Sequence, residues 1–178
     1  ANERLGQLVN DLLEVARSEA GRLAVKVALL DIAVSIEAIS AELKPLADEK
    51  RIKIVYNPPT NLPKVLADEV RLKEILVNLI GNAIKYTLGS GTVTVSNILQ
   101  DKMLVTNIKD TGIGIPKEAQ KKLFEKFYRV QDERARAVSG TGLGLFIVKT
   151  IVEKMNGQIW VESEENKGST FSFSLPLA

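Results

Sequence analysis

Four side chains on one helical stretch stand out for their chemistry. Asn78 and Asn82 are four residues apart, and Lys85 and Tyr86 follow one turn later. At 3.6 residues per turn, that spacing sets all four near one face. Asn has only middling helix propensity, so two in mid-helix call for a reason. A neutral amide oxygen suits a hard cation that a polyphosphate already holds. Mg²⁺ commonly keeps several waters and takes few protein ligands.

Two glycine clusters lie downstream. Asp110-Thr111-Gly112-Ile113-Gly114-Ile115-Pro116 ends a strand and opens a helix. Gly140-Thr141-Gly142-Leu143-Gly144-Leu145 is a loop feeding a helix. Glycine lets backbone N–H groups approach phosphates, and a helix start adds a favourable dipole. The second cluster reads G-x-G-x-G, with a polar loop where a Rossmann motif requires a strand, and no Walker A sequence occurs. Residues 117 to 136 lie between the clusters and hold seven basic and four acidic side chains, a net +3 against +2 for the whole chain. This pattern predicts a basic lid over an anionic ligand. Arg129 is its leading participant, and Phe124, Phe127 and Tyr128 are its apolar anchor.

The elements that must position these groups follow from the hydrophobic rhythm. Leu5, Leu8, Val9, Leu12, Leu13, Val15 and Ala16 predict an amphipathic helix over residues 3–20, capped at Gly21. A second helix is expected over 31–48, with Ile32, Ile36, Ile39 and Leu43 on one face and Pro45 kinking or shortening it. Residues 51–56 alternate as a strand, and 64–67 form a short one. Asp68 N-caps the Asn-bearing helix, which runs to Tyr86 around Leu72, Leu76, Leu79 and Ala83. Strands are expected at 92–98 and 103–109. Pro116 opens a short helix to Leu123, and 126–140 is read as an irregular, mobile loop. A helix over 142–156 and a closing hairpin of 158–164 and 170–175 complete the chain. Long helices with about five strands in mixed order predict an α/β sandwich, a mixed sheet covered on one face by helices.

Composition narrows the chemistry further. The 178 residues include no Cys and no His. That excludes a disulfide framework, thiolate or imidazole nucleophiles and bases, and zinc sites of the Cys or His type. The small net charge of +2 argues against nucleic acid as a partner. No apolar run approaches the ~18 residues of a membrane span, so no membrane contact is expected.

In this order, the motifs resemble those of the ATP-binding catalytic domain of bacterial sensor histidine kinases. That domain shares a superfamily with the gyrase-type, chaperone-type and mismatch-repair ATPases. Asn78-Leu-Ile-Gly-Asn82-Ala-Ile-Lys85-Tyr86-Thr87 resembles the N box and Asp110-Thr-Gly112-Ile-Gly114 the G1 box. Phe124-Glu-Lys-Phe127-Tyr-Arg129 resembles the F box, Gly140-Thr-Gly142-Leu-Gly144-Leu the G2 box, and Gly168-Ser-Thr170-Phe the last glycine box. The likeness covers residues 22 to 178, taken as the catalytic domain.

The resemblance implies ATP and Mg²⁺ as ligands, with Asn82 on the metal and Asn78 and Arg129 supporting transfer. It implies Lys85 on phosphate, Tyr86 beside ribose and base, and Asp110 accepting from the adenine amino group, backed by Thr170 through water. Gly112, Gly114, Ile115, Gly140, Thr141, Gly142, Leu143, Gly144 and Leu145 would shape the pocket. Hydrolytic relatives place a Glu four residues before the metal Asn. Here that position is Asn78, which cannot act as a base, so slow hydrolysis is expected.

Residues 1–21 resemble the second helix of the dimeric bundle that carries the phosphoacceptor His, and the first helix is absent. The expected activity is therefore phosphorylation of a His supplied in trans, with a response regulator downstream. A homodimer through residues 3–20 and a cytoplasmic location, with a parent protein open to membrane anchoring, go with it. The alternatives are a nucleotide-binding interaction module without phosphotransfer, or a slow ATPase.

Overall fold

The computed structural model describes residues 2–178. Helix α1 (Asn2–Glu19) comes first, then strand β1 (Ala28–Leu30) and helix α2 (Ile32–Glu49). Strands β2 (Ile52–Tyr56) and β3 (Val65–Ala67) lead into α3 (Glu69–Tyr86), the Asn-bearing helix. The hairpin β4 (Gly91–Gln100) and β5 (Met103–Asp110) is followed by the one-turn helices α4 (Lys117–Gln120) and α5 (Glu133–Arg136). Helix α6 (Gly144–Lys154) and the hairpin β6 (Ile159–Glu164) and β7 (Gly168–Pro176) close the chain.

Five strands form one sheet in the order β2-β4-β5-β7-β6, and β1 pairs with β3 in a small second sheet. Among the described residues only β2 and β4 pair in parallel, and the other strand pairings are antiparallel. Helices α2, α3 and α6 cover one face. Ile32, Ile36, Leu72, Leu76, Leu79, Val148 and Ile151 meet Val93, Leu104, Ile108 and Phe173 there, all essentially inaccessible to solvent. Burying such side chains contributes roughly 1.5–3 kcal/mol each, the main term holding the layers together. One polar string crosses this interior. Tyr56 Oη donates to Asn97 Oδ1 at 2.7 Å, and Asn97 Nδ2 donates to Thr106 Oγ1 at 3.0 Å. Burial, with Glu37 and Asp31 adding, pushes the Tyr56 phenol up to about 12.

Among the described residues no helix lies on the opposite face of the sheet. Thr94, Ser96, Asn107, Lys109, Glu162, Thr170 and Ser172 line a shallow trough there, together with Trp160. Trp160 stands in register with Ser172.

The caps fall where side-chain chemistry puts them. Asp31 accepts from Ala33 N at 3.0 Å to start α2, and Asp68 accepts from Arg71 N at 3.1 Å to start α3. Gly21 takes φ +67 after α1. Pro45 does not shorten α2, which continues to Glu49 and buries Ala47 beyond the proline. Helix α4 stops at Gln120, short of Leu123, and turns follow.

The segment 126–140 is not wholly irregular. Asp132 accepts from Arg134 N at 2.8 Å and nucleates α5, whose Ala135 is buried. Helix α1 buries only Val15, while Leu5, Val9, Leu12 and Leu13 remain exposed along one stripe. No helix among the described residues is long and apolar enough to cross a membrane.

Candidate functional site

A cavity of about 530 Å³ opens between α3, the turn after β5, the lid and α1. That is the size range of sites for nucleotide-sized ligands. From α3 it receives Asn78, Gly81, Asn82, Lys85 and Tyr86; from the turn after β5, Asp110, Ile113, Gly114 and Ile115. The lid and the start of α6 supply Tyr128, Arg129, Gly140, Thr141, Gly142, Gly144 and Leu145. Most residues singled out in the sequence thus converge on one space.

Asp110 is the buried anion of the cavity. It continues the inward-facing alternation of Leu104, Thr106 and Ile108 at the end of β5 and is 5% exposed. Its Oδ1 accepts from Gly112 N at 2.8 Å and Ser169 N at 3.2 Å. Among the described residues no hydrogen bond reaches Oδ2. Burial raises the Asp110 pKa, and the two backbone donors only partly oppose the rise. The carboxylate has one oxygen fixed by the fold and one free to accept a donor from a ligand.

On α3, Asn82 Nδ2 donates to Asn78 Oδ1 at 3.1 Å. This bond turns the amide oxygen of Asn82 away from Asn78, the atom a hard cation needs. No group of three or more His, Cys, Asp or Glu able to hold a metal occurs among the described residues. The donor set therefore fits Mg²⁺ that brings phosphate oxygens and water with it, and does not fit an all-protein cage. Gly144 packs against this pair: a Cβ there would meet Asn78 Nδ2 at 2.5 Å. Glu74, one turn before Asn78, lies outside the cavity. Arg71 Nη1 holds it at 2.8 Å while also reaching Glu14 of α1 at 3.1 Å. The one carboxylate a helical turn before Asn78, that of Glu74, is thus engaged by Arg71.

Three glycines are fixed by close approach. A Cβ at Gly112 would lie 2.4 Å from Tyr86 O, and Gly114, at φ +69, would meet Glu164 O at 2.0 Å. Gly142, at φ +78, packs on the Phe127 backbone, where Phe127 N donates to Gly142 O at 2.9 Å.

Three expected site residues sit elsewhere. Thr170 pairs with Lys109 and Glu162 and faces the open trough. Strand alternation gives Ser169 and Phe171 to the cavity in its place. Leu143 is fully buried in the core, so its side chain packs rather than binds; its N–H donates to Thr141 Oγ1 at 3.3 Å. Gly112 does not line the cavity and acts through its N–H on Asp110. Arg129 does line it, but its Nη2 donates to Ala135 O and Val138 O, tying the lid around α5.

A fourth wall of the cavity comes from α1, where no site residue was expected. Glu3, Arg4, Gln7 and Asp11 form one face of α1 that borders the cavity. Thr141 Oγ1 donates to Asp11 Oδ2 at 2.8 Å, and Lys126 pairs with Glu19, so α1 touches the lid at two points. The 3, 4, 7, 11 spacing of polar residues opposite the leucines was the available signal.

Residues 67–178 match the family described as histidine kinase-, DNA gyrase B-, and HSP90-like ATPase. The chain is 36% identical over 174 residues to the adaptive-response sensory kinase SasA of Rippkaea orientalis, covering 97% of this chain and 44% of that protein. It is 36% identical over 176 residues to the sensor histidine kinase WalK of Bacillus subtilis, covering 98% and 29% respectively. The chain thus spans less than half the length of these relatives. Among solved structures it resembles full-length ShkA in complex with AMPPNP, with a TM-score of 0.86 at 35% identity, covering 98% of this chain and 36% of ShkA.

Proposed function

This chain belongs to the histidine kinase-, DNA gyrase B- and HSP90-like ATPase family and is homologous to sensor histidine kinases; on that premise we propose that it holds Mg·ATP in the α3–lid cavity and donates the γ-phosphoryl group to a histidine on another polypeptide. The observation that carries this reading is one cavity uniting Asp110, with a free carboxylate oxygen, and the Asn78–Asn82 amide pair. Asp110 Oδ2 accepts from the adenine amino group. Tyr86 flanks the base and ribose, and Lys85 meets phosphate. Asn82 Oδ1 holds the metal, which when bound neutralises charge on the phosphate oxygens.

Transfer is favoured over hydrolysis because Asn78 is no base and Glu74 is occupied by Arg71. The acceptor imidazole attacks through its unprotonated nitrogen. The new N–P bond forms as the bond from the γ-phosphorus to the bridging oxygen breaks, and ADP leaves with that electron pair. The sequence holds no histidine, so the acceptor comes from outside these 178 residues. Residues 22–178 form the catalytic domain in this reading, and 1–21 belong to a bundle. The exposed stripe of Leu5, Val9, Leu12 and Leu13 fits that bundle's helical partner or a second copy. A response regulator acts downstream, in the cytoplasm.

The test mixes the chain with radiolabelled ATP and a polypeptide carrying the His-bearing helix. Label is expected on the partner, and Asn82→Ala abolishes it. Binding of a non-hydrolysable analogue without label would refute transfer. Absence of binding at millimolar analogue would refute the nucleotide reading itself.

A further inference from the structure

The last four carbonyls of an α-helix have no acceptor role within it. In α3 these belong to Ala83, Ile84, Lys85 and Tyr86, and each finds a donor. Thr87 Oγ1 donates to Ala83 O at 2.8 Å, and Ile113 N donates to Tyr86 O at 3.1 Å. The two between them share one side chain: Lys50 Nζ donates to Ile84 O at 2.6 Å and to Lys85 O at 2.8 Å. Lys50 is the C-cap residue of α2, far from α3 in sequence. Its ammonium also sits where the negative end of the α3 dipole favours a cation.

Lys50 does not border the cavity; of the two residues whose carbonyls it holds, Ile84 packs in the core and Lys85 lines the cavity. Lys85 and Tyr86 enter the cavity from the turn it clamps. Tyr86 O receives Ile113 N and leaves no room for a side chain at Gly112. Gly112 N in turn fixes Asp110 Oδ1. A chain of contacts runs from Lys50 through the end of α3 to the turn carrying the buried carboxylate. We propose that Lys50 is a positioning residue for nucleotide recognition: by clamping the Ile84 and Lys85 carbonyls it sets Lys85, Tyr86 and the Asp110–Ile113 turn against the ligand. The inference rests on the nucleotide reading of the cavity.

Titration calorimetry with AMPPNP and with a non-hydrolysable GTP analogue tests it on wild type, Lys50→Met and Lys50→Arg, each well below its melting temperature. Lys50→Met is expected to weaken AMPPNP about tenfold, the scale of losing charge-assisted bonds, and to narrow the adenine-over-guanine preference. Lys50→Arg, which keeps the cation and its donors, recovers affinity to within about threefold. A lysine that only stabilises the fold would lower the melting temperature and leave both the affinity and the base preference of the folded protein unchanged; that result overturns the proposal. If Lys50→Met does not fold, Lys50→Gln, which keeps one donor group, is titrated in its place under the same criteria. Wild type failing to bind AMPPNP overturns the nucleotide reading, whereas binding unaltered by the substitution overturns the role of Lys50 alone.

Discussion

Replacing Asp110 by Asn separates the two duties of this carboxylate. The amide oxygen of Asn can still accept from Gly112 N and Ser169 N, so the local fold is retained. The other position becomes an NH₂ donor facing the cavity. In the proposed binding mode adenine presents its own amino donor there, so an acceptor–donor contact would become donor against donor. Losing a hydrogen bond to a charged acceptor costs about 1.5–3 kcal/mol, which corresponds to roughly 10- to 150-fold in Kd. Guanine presents a carbonyl oxygen at the same place and would gain a donor, so the base preference moves toward guanine.

Stability moves in the opposite direction. Burial raises the Asp110 pKa above its ordinary 3.8, so the folded state disfavours the ionised form. That cost is absent below the ordinary value, where both states are protonated, and grows as pH rises through the raised folded value. Asn carries no such cost. Asp110→Asn should therefore melt above wild type at neutral pH, and the gap should close as pH falls toward 3.8. Calorimetric titration with ATP and GTP analogues and melting curves across pH measure both arms. ATP affinity within about twofold of wild type, or a variant that melts lower at neutral pH, would refute the reasoning.

Gly144→Ala places a methyl against Asn78 Nδ2, forces that amide to turn and breaks its bond to Asn82; transfer to a His-bearing partner should fall by about tenfold or more, read by the radiolabel assay. Ser169→Ala and Thr170→Val should differ because adjacent strand residues face opposite sides. The first, within the cavity, should weaken AMPPNP about fivefold. The second, in the outer trough, should leave affinity within about twofold, and a reversed order would show that the assigned faces are wrong.

Much of this arrangement could be read from local sequence because it rests on local physics. Asp68 caps α3 through its own neighbour's N–H, and the stripe of Leu72, Leu76 and Leu79 follows the helical period. Asn78, Asn82 and Asp110 meet in one cavity as their motif order implied. What escaped depends on pairing across the chain. Thr170 and Ser169 exchange places once the register of β7 against β5 is known, since one step changes the face. Leu143 reads as part of a glycine loop, yet its side chain is enclosed by the core that α6 joins. Arg129 borders the cavity, but its bonds to Ala135 O in α5 and to Val138 O just beyond depend on a helix of one turn, too short to leave a periodic signal. The contact between Asp11 and Thr141 links residues too distant in sequence for any spacing rule to join.

The bare face of the sheet has an optical consequence. Trp160 is the sole tryptophan of the chain, and it sits in the outer trough with Thr170 and Ser172, across the sheet from the cavity. Its emission therefore reports the integrity of β6 and β7 and is shielded by the sheet from stacking or quenching by a base lying against Tyr86. Folding of this chain can be followed by intrinsic fluorescence with nucleotide present, as a channel separate from occupancy of the site.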